Sequence, residues 1–190
     1  YENGYVDCKV ADINFLQKIK ERGSDPARYA FKDNKILYSK INGLQSLLND
    51  ISRFPIDQKE ERRKRFASQI LAWKWYYSEA LKKKNKYLVY LAIQKLVLFS
   101  CRIVLNENNM LYPFHKWMLK EVETANNKPR DFMKKIDELL NDNTLEKVNG
   151  FCDNIFEFIN FTEKTVDWPN YFIRDSEQNW IEHDPPVDDL

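Results

Sequence analysis

Two histidines and three cysteines are all that this 190-residue chain offers for soft-metal or thiol chemistry. They lie apart, with no CxxC pair, no HExxH and no histidine cluster, which removes the usual zinc and thiol-redox frameworks. An odd number of cysteines without paired spacing fits reduced thiols packed as small hydrophobes, as in a cytoplasmic protein. GxSxG, P-loop and dinucleotide fingerprints are also missing, and no internal repeat is evident. The most apolar stretch, residues 87–105, is interrupted by Gln94, Lys95, Ser100 and Arg102. It is therefore read as a core helix and not as the run of roughly 18 apolar residues that a membrane span needs. The first residues have neither the basic nor the apolar region of a secretory signal.

What is present suits a packed core: 43% of residues are hydrophobic and 14% aromatic. The net charge of +1 conceals a segregation. Residues 57–86 hold ten Lys/Arg against four Asp/Glu, whereas residues 167–190 hold seven Asp/Glu against one Arg. Opposite charge predicts that the acidic tail folds back on the basic helix.

Residues 5–10 alternate as a strand, with Val6, Cys8 and Val10 on one face and Asp7 and Lys9 on the other. A strand needs neighbours to satisfy its backbone, and only residues 35–39 look able to pair with it. The expectation is an excised C-terminal piece whose N-terminal partner carries much of the chemistry. Asp12 caps a helix over 13–22 that Gly23 closes, and a second helix covers 44–51. Residues 1–54 thus read as the α/β remnant of a larger domain.

From Pro55 the pattern becomes helical. Asp57 and Glu60 make a capping-box-like start to a helix reaching residue 84, followed by helices over 86–106, 113–124, 129–141 and 145–162. Pro113 and Pro129 suit first-turn positions, and Gly150 is the weak point of the last helix. The fold class is mainly α: an up-and-down bundle of about five helices over 55–165, then an acidic aromatic tail over 166–190.

Two places offer chemistry. A carboxylate fixed on a strand, as Asp7 would be, gives a divalent cation a rigid oxygen ligand. Arg102, Asn106, Asn109, Tyr112, Lys116 and Trp117 form a constellation where the most apolar helix ends and the chain reverses, a polar ladder facing a lysine and able to receive a phosphate or a polar small molecule. The bland alternatives are a helix cap for Asn106, a turn hydrogen bond for Tyr112 and a solvated charge for Lys116. The basic runs 59–65 and 82–84 read first as solvated helix faces, so nucleic acid is not an expected partner.

Val6-Asp7-Cys8-Lys9-Val10, continuing through Asp12-Ile13-Asn14-Phe15-Leu16 to Gly23-Ser24-Asp25-Pro26-Ala27-Arg28-Tyr29-Ala30, resembles the end of a nucleotidyltransferase domain of the polymerase-beta superfamily. Asn106 with Tyr112-Pro113 and Lys116-Trp117 resembles the helical domain that follows it in bacterial small-molecule nucleotidyltransferases, antibiotic adenylyltransferases among them. The likeness covers residues 5–140. It implies Asp7 as the third catalytic carboxylate and a Mg²⁺ ligand, with the Gly-Ser motif and carboxylate pair supplied by the domain before it. It further implies NTP and a small-molecule acceptor as substrates, with the bundle walling the cleft, Lys116 on a phosphate, and Tyr112, Asn106 and Arg102 in the pocket. The alternative from the residues alone is a non-catalytic helical module that binds a nucleotide or a partner. A ribonuclease pairing Arg102 with a histidine five to seven positions on is disfavoured, because that interval holds Asn and Glu.

Overall fold

A computed structural model describes residues 8–181 and Asp184. They form two compact units: residues through Phe54 together with Leu111–Trp117, and Pro55–Met110 together with the chain from Met118.

The smaller unit holds α1 (Ile13–Arg22), α2 (Asp25–Tyr29) and α3 (Leu44–Ile51). Asp12 caps α1 by accepting the Phe15 N–H at 2.7 Å, and Gly23 ends it by donating to the Ile19 carbonyl at 2.8 Å. Ile19 of α1 packs with Leu47, Leu48 and Ile51 of α3, and Leu16, Ala27, Phe31, Ile36 and Leu44 fill the rim. Lys20 bonds Asp50 at 2.8 Å across the same pair of helices. Arg28 of α2 donates to the carbonyls of Gly23 and Lys20.

No strand occurs among the described residues, so the α/β remnant is corrected to a small helical unit. Cys8, Lys9 and Val10 are exposed without ladder pairing, and residues 35–39 form a bend in which Leu37 is 91% exposed. Alternation writes a strand only where a neighbour completes its hydrogen bonds, and Ile36 is drawn instead into the helical core.

The larger unit is organised by a hairpin of two long helices, α4 (Lys59–Lys82) and α5 (Lys86–Glu107). Ala67, Ile70, Ala72, Tyr77 and Ala80 of α4 are buried with Ala92, Ile93, Leu96, Val97, Cys101, Ile103, Val104 and Leu105 of α5. α7 (Phe132–Asn141) and α8 (Leu145–Phe158) pack on this hairpin and on each other, with Phe132 and Phe151 stacked at 5.9 Å. α6 (His115–Thr124) buries Met118 and Val122. The acidic tail adds α9 (Trp168–Asp175), packed along α4, so the bundle holds a helix beyond the expected five. Phe172 lies against Trp73 and Tyr76, while Arg65 meets Asp175 at 2.6 Å and Arg174 meets Glu61 at 3.4 Å.

By length and composition α5 could cross a membrane, despite the polar residues expected to interrupt it; half of its most apolar window is buried in the fold. Cys101 and Cys152 are buried as small hydrophobes, and burial pushes both thiols up to about 12, far from thiolate chemistry. Cys8 is exposed.

The helix ends differ from the sequence pattern for one shared reason. Lys84, Phe114, Asp131 and Asn160 have φ of 51°, 71°, 57° and 50°, and a left-handed residue cannot continue a right-handed helix. α4 therefore stops at Lys82, α6 starts after Pro113, α7 starts after Pro129, and α8 stops at Phe158. The start of α4 also differs: a 3-10 turn over Ile56–Gln58 precedes it, and no side chain caps it.

Two glycines separate local strain from local slack. A Cβ at Gly150, within α8, would meet nothing within 4 Å, whereas one at Gly23 would lie 2.5 Å from the Ile19 carbonyl oxygen. Gly150→Ala is expected to stabilise by roughly 0.5–1 kcal/mol. Gly23→Ala is expected to destabilise. Thermal melts of both variants against the parent check the pair.

Candidate functional site

Of the residues singled out in the sequence, Asp7 lies outside the described residues. The others divide between the two units: Arg102, Asn106 and Asn109 in the larger, Tyr112, Lys116 and Trp117 in the smaller.

In the larger unit, Arg102 and Asn106 stand one turn apart on α5. Asn106 is buried, and its amide donates to the Lys59 carbonyl at 3.1 Å and to Glu107 Oε1 at 3.3 Å. Its Oδ1 has no hydrogen-bond partner and is shielded from solvent. Arg102 is half-buried, with its guanidinium 4.7 Å from the centre of the Phe66 ring. Around Asn106, the first turns of α4 grip the end of α5. Arg63 binds Glu107 through two hydrogen bonds, 2.8 Å from Nε and 2.5 Å from Nη2, and pairs with Glu60 at 2.8 Å. Lys59 Nζ donates to the Glu107 carbonyl at 3.0 Å and to Asn109 Oδ1 at 2.9 Å.

Burial works to raise the Glu107 pKa. The hydrogen bonds and charge of Arg63, helped by Asn106 and Lys59, outweigh it and hold the carboxyl below its usual range. This cluster accounts for Lys59 and Arg63 of the basic run 59–65 as internal bonding of the larger unit.

In the smaller unit, residues 111–117 turn the chain into α6. Leu111 and Tyr112 are buried. The Tyr112 N–H donates to Asp25 Oδ2 at 3.3 Å, and its hydroxyl lies 3.2 Å from His115 Nδ1. Phe114 takes the left-handed conformation, a strained choice for an aromatic residue, and sets its ring 4.6 Å from that of His115. The turn leaves Phe114, His115, Lys116 and Trp117 exposed, with Lys116 Nζ 5.2 Å from the centre of the Trp117 ring. A cation and an aromatic face, side by side on a braced turn, offer complementary contacts to a phosphate and a base.

The sequence pattern did not single out Asp25 as the brace of Tyr112. It stands in Gly23-Ser24-Asp25-Pro26, where it reads as a turn residue, and its burial is the signal that only the fold supplies. Arg63 and Glu107 were likewise unreadable as partners, being 44 residues apart.

The Mg²⁺ site implied by the resemblance is not supplied by the described residues, which contain no cluster of three His, Cys, Asp or Glu placed to hold a metal ion. A shallow depression beside Glu163, Asp167 and Trp168 includes none of the expected site residues. No family model, no curated protein and no solved structure matches this chain.

The Arg63–Glu107 pair generates a pH-dependent expectation. Glu107 has a depressed pKa in the folded state, so its contribution is complete above its unfolded value of about 4.3 and is lost as pH falls through the folded pKa. Glu107→Gln is expected to cost about 2 kcal/mol at neutral pH. In urea unfolding, the difference between variant and parent should narrow steadily as the pH falls below about 4.3.

Proposed function

We propose that this chain is the C-terminal, helical portion of a nucleotidyltransferase, which moves a nucleoside monophosphate from an NTP to an acceptor hydroxyl. The observation that carries the reading is the turn over residues 112–117. It keeps Lys116 and Trp117 exposed as neighbours, over a tyrosine held by Asp25 and His115. These are also the residues on which the likeness to the helical domain of small-molecule nucleotidyltransferases rests.

In this reading each part has a separate task. The Lys116 ammonium meets a phosphate oxygen of the bound nucleotide, a charge-assisted contact. The ring of Trp117 offers a stacking face to the base or the acceptor. Tyr112 touches neither and fixes the turn, so Lys116 and Trp117 lose little conformational freedom when a ligand arrives. Arg102 and Asn106 stand in the larger unit, where Asn106 closes the end of α5. Asp7 and the preceding domain would supply the carboxylates for Mg²⁺.

Calorimetric titration of the chain with ATP tests the contact directly. Lys116→Ala should weaken binding by about 10-fold, equivalent to roughly 1.4 kcal/mol. Trp117→Ala should weaken it without changing its dependence on salt. In the longer protein bearing the Gly-Ser motif, Asp7→Asn should abolish Mg²⁺-dependent pyrophosphate release from NTP. ATP binding indifferent to both substitutions at 116 and 117, or full turnover by the Asp7→Asn protein, would overturn the reading.

A further inference from the structure

Positive charge in the α4/α5 hairpin is spent unevenly. Near the start of α4, Lys59, Arg63 and Arg65 are bound to the Glu107 carbonyl, the Glu107 carboxylate and Asp175. The opposite end of the hairpin has far less to bind. Between residues 79 and 90 four lysines, Lys82, Lys83, Lys84 and Lys86, face one carboxylate, Glu79. Glu79 takes Lys82 at 2.7 Å, and Lys83, Lys84 and Lys86 stand exposed around the turn.

Two of these lysines occupy positions that the backbone disfavours. Lys84 has φ of 51°, and the N–H groups of Lys84 and Asn85 donate to the carbonyls of Leu81 and Ala80 at 3.1 and 2.9 Å. That is the helix-closing arrangement in which glycine is preferred, because a Cβ is strained there. Lys86 opens α5, where the positive end of the helix dipole opposes a cation, and no acidic residue in the first turn relieves it. Helix closure and helix dipole therefore both argue against lysine at these places. Residues held against local preference point to a use outside the fold.

The same end presents Tyr87 and Tyr90, 75% and 61% exposed and one turn apart on α5. A lipid surface would call for aliphatic side chains, yet Leu81 is the sole exposed large aliphatic residue between 79 and 90. Cations beside free aromatic faces match a flexible polyanion that carries flat rings.

We propose that the turn joining α4 and α5 binds single-stranded nucleic acid, with Lys83, Lys84 and Lys86 on successive phosphates and Tyr87 and Tyr90 stacked on bases. The contact reads no sequence, since every base has a stacking face. It uses none of the residues of the nucleotide contact and stands independently of that reading.

Fluorescence anisotropy of a labelled oligouridylate of about 12 nucleotides, titrated with the chain at a series of salt concentrations, tests it. Three phosphate contacts on a single strand give a slope of log affinity against log salt near about −2. Replacing Lys83 and Lys86 by Ala and Lys84 by Gly should flatten it. Tyr87→Ser with Tyr90→Ser should weaken binding at least about 10-fold at unchanged slope. The single variant Lys84→Gly separates binding from folding: its melting temperature should rise by about 2–4 °C as the left-handed strain is relieved, while its affinity falls. The proposal is overturned by no binding, by Lys84→Gly binding as tightly as the parent, by a slope that survives loss of the lysines, or by a preference for anionic vesicles over the oligonucleotide.

Discussion

The larger unit depends on the bidentate contact between Arg63 and Glu107. α4 and α5 are joined by a turn of three residues, Lys83 to Asn85, which brings the helices side by side but fixes little of their register at the far end. There the first turns of α4 meet the last of α5: Arg63 holds the Glu107 carboxylate, Lys59 holds the Glu107 carbonyl, and Asn106 returns a bond to the Lys59 carbonyl. The Glu107 carbonyl, at the end of α5 where helical partners run out, is thereby satisfied by the Lys59 ammonium. With both ends of the hairpin defined, the apolar faces meet in one register, and α8 and α9 find a fixed surface on α4.

Much of the helical content was legible because it follows local rules. Asp12 and Gly23 bracket α1 as their chemistry requires, and α3 occupies the expected residues 44–51. The α4/α5 hairpin emerged from periodicity alone. The misreadings cluster at helix ends, where non-glycine residues take the left-handed conformation. Nothing in the side chains of Lys84 or Phe114 announces that choice, whereas glycine at either place would have done so. The strand expected over residues 35–39 is absent for a different reason. Alternation there is short, and strand identity is a property of a pair, which no single segment encodes.

The candidate site was legible as a set of residue types and less so as an arrangement. Tyr112 and Lys116 do share a turn, but what braces it is Asp25, 87 residues earlier. Asn106 stands out in the sequence for its polarity near a helix end, and in the fold that polarity serves the junction with Lys59. The basic run 59–65 shows the same division of labour: a charge pattern on a helix does not reveal which cations have partners elsewhere in the chain. Only the fold separates Arg63 and Arg65, whose charges are spent, from Lys83 and Lys86, whose charges remain open to solvent.

The strap α9 carries a consequence for the order of events during synthesis. Arg65 and Asp175 are 110 residues apart, as are Tyr171 and Glu61, and Phe172 closes over Trp73 and Tyr76 from a similar distance. The α4/α5 hairpin is built from nearby segments and can form soon after both helices leave the ribosome, since short loops close fast. Its aromatic flank must then wait, bare, for a segment made about sixty residues after α5 ends. At about 5–20 residues per second that wait lasts several seconds, the interval in which a nascent chain of this protein would most need a chaperone.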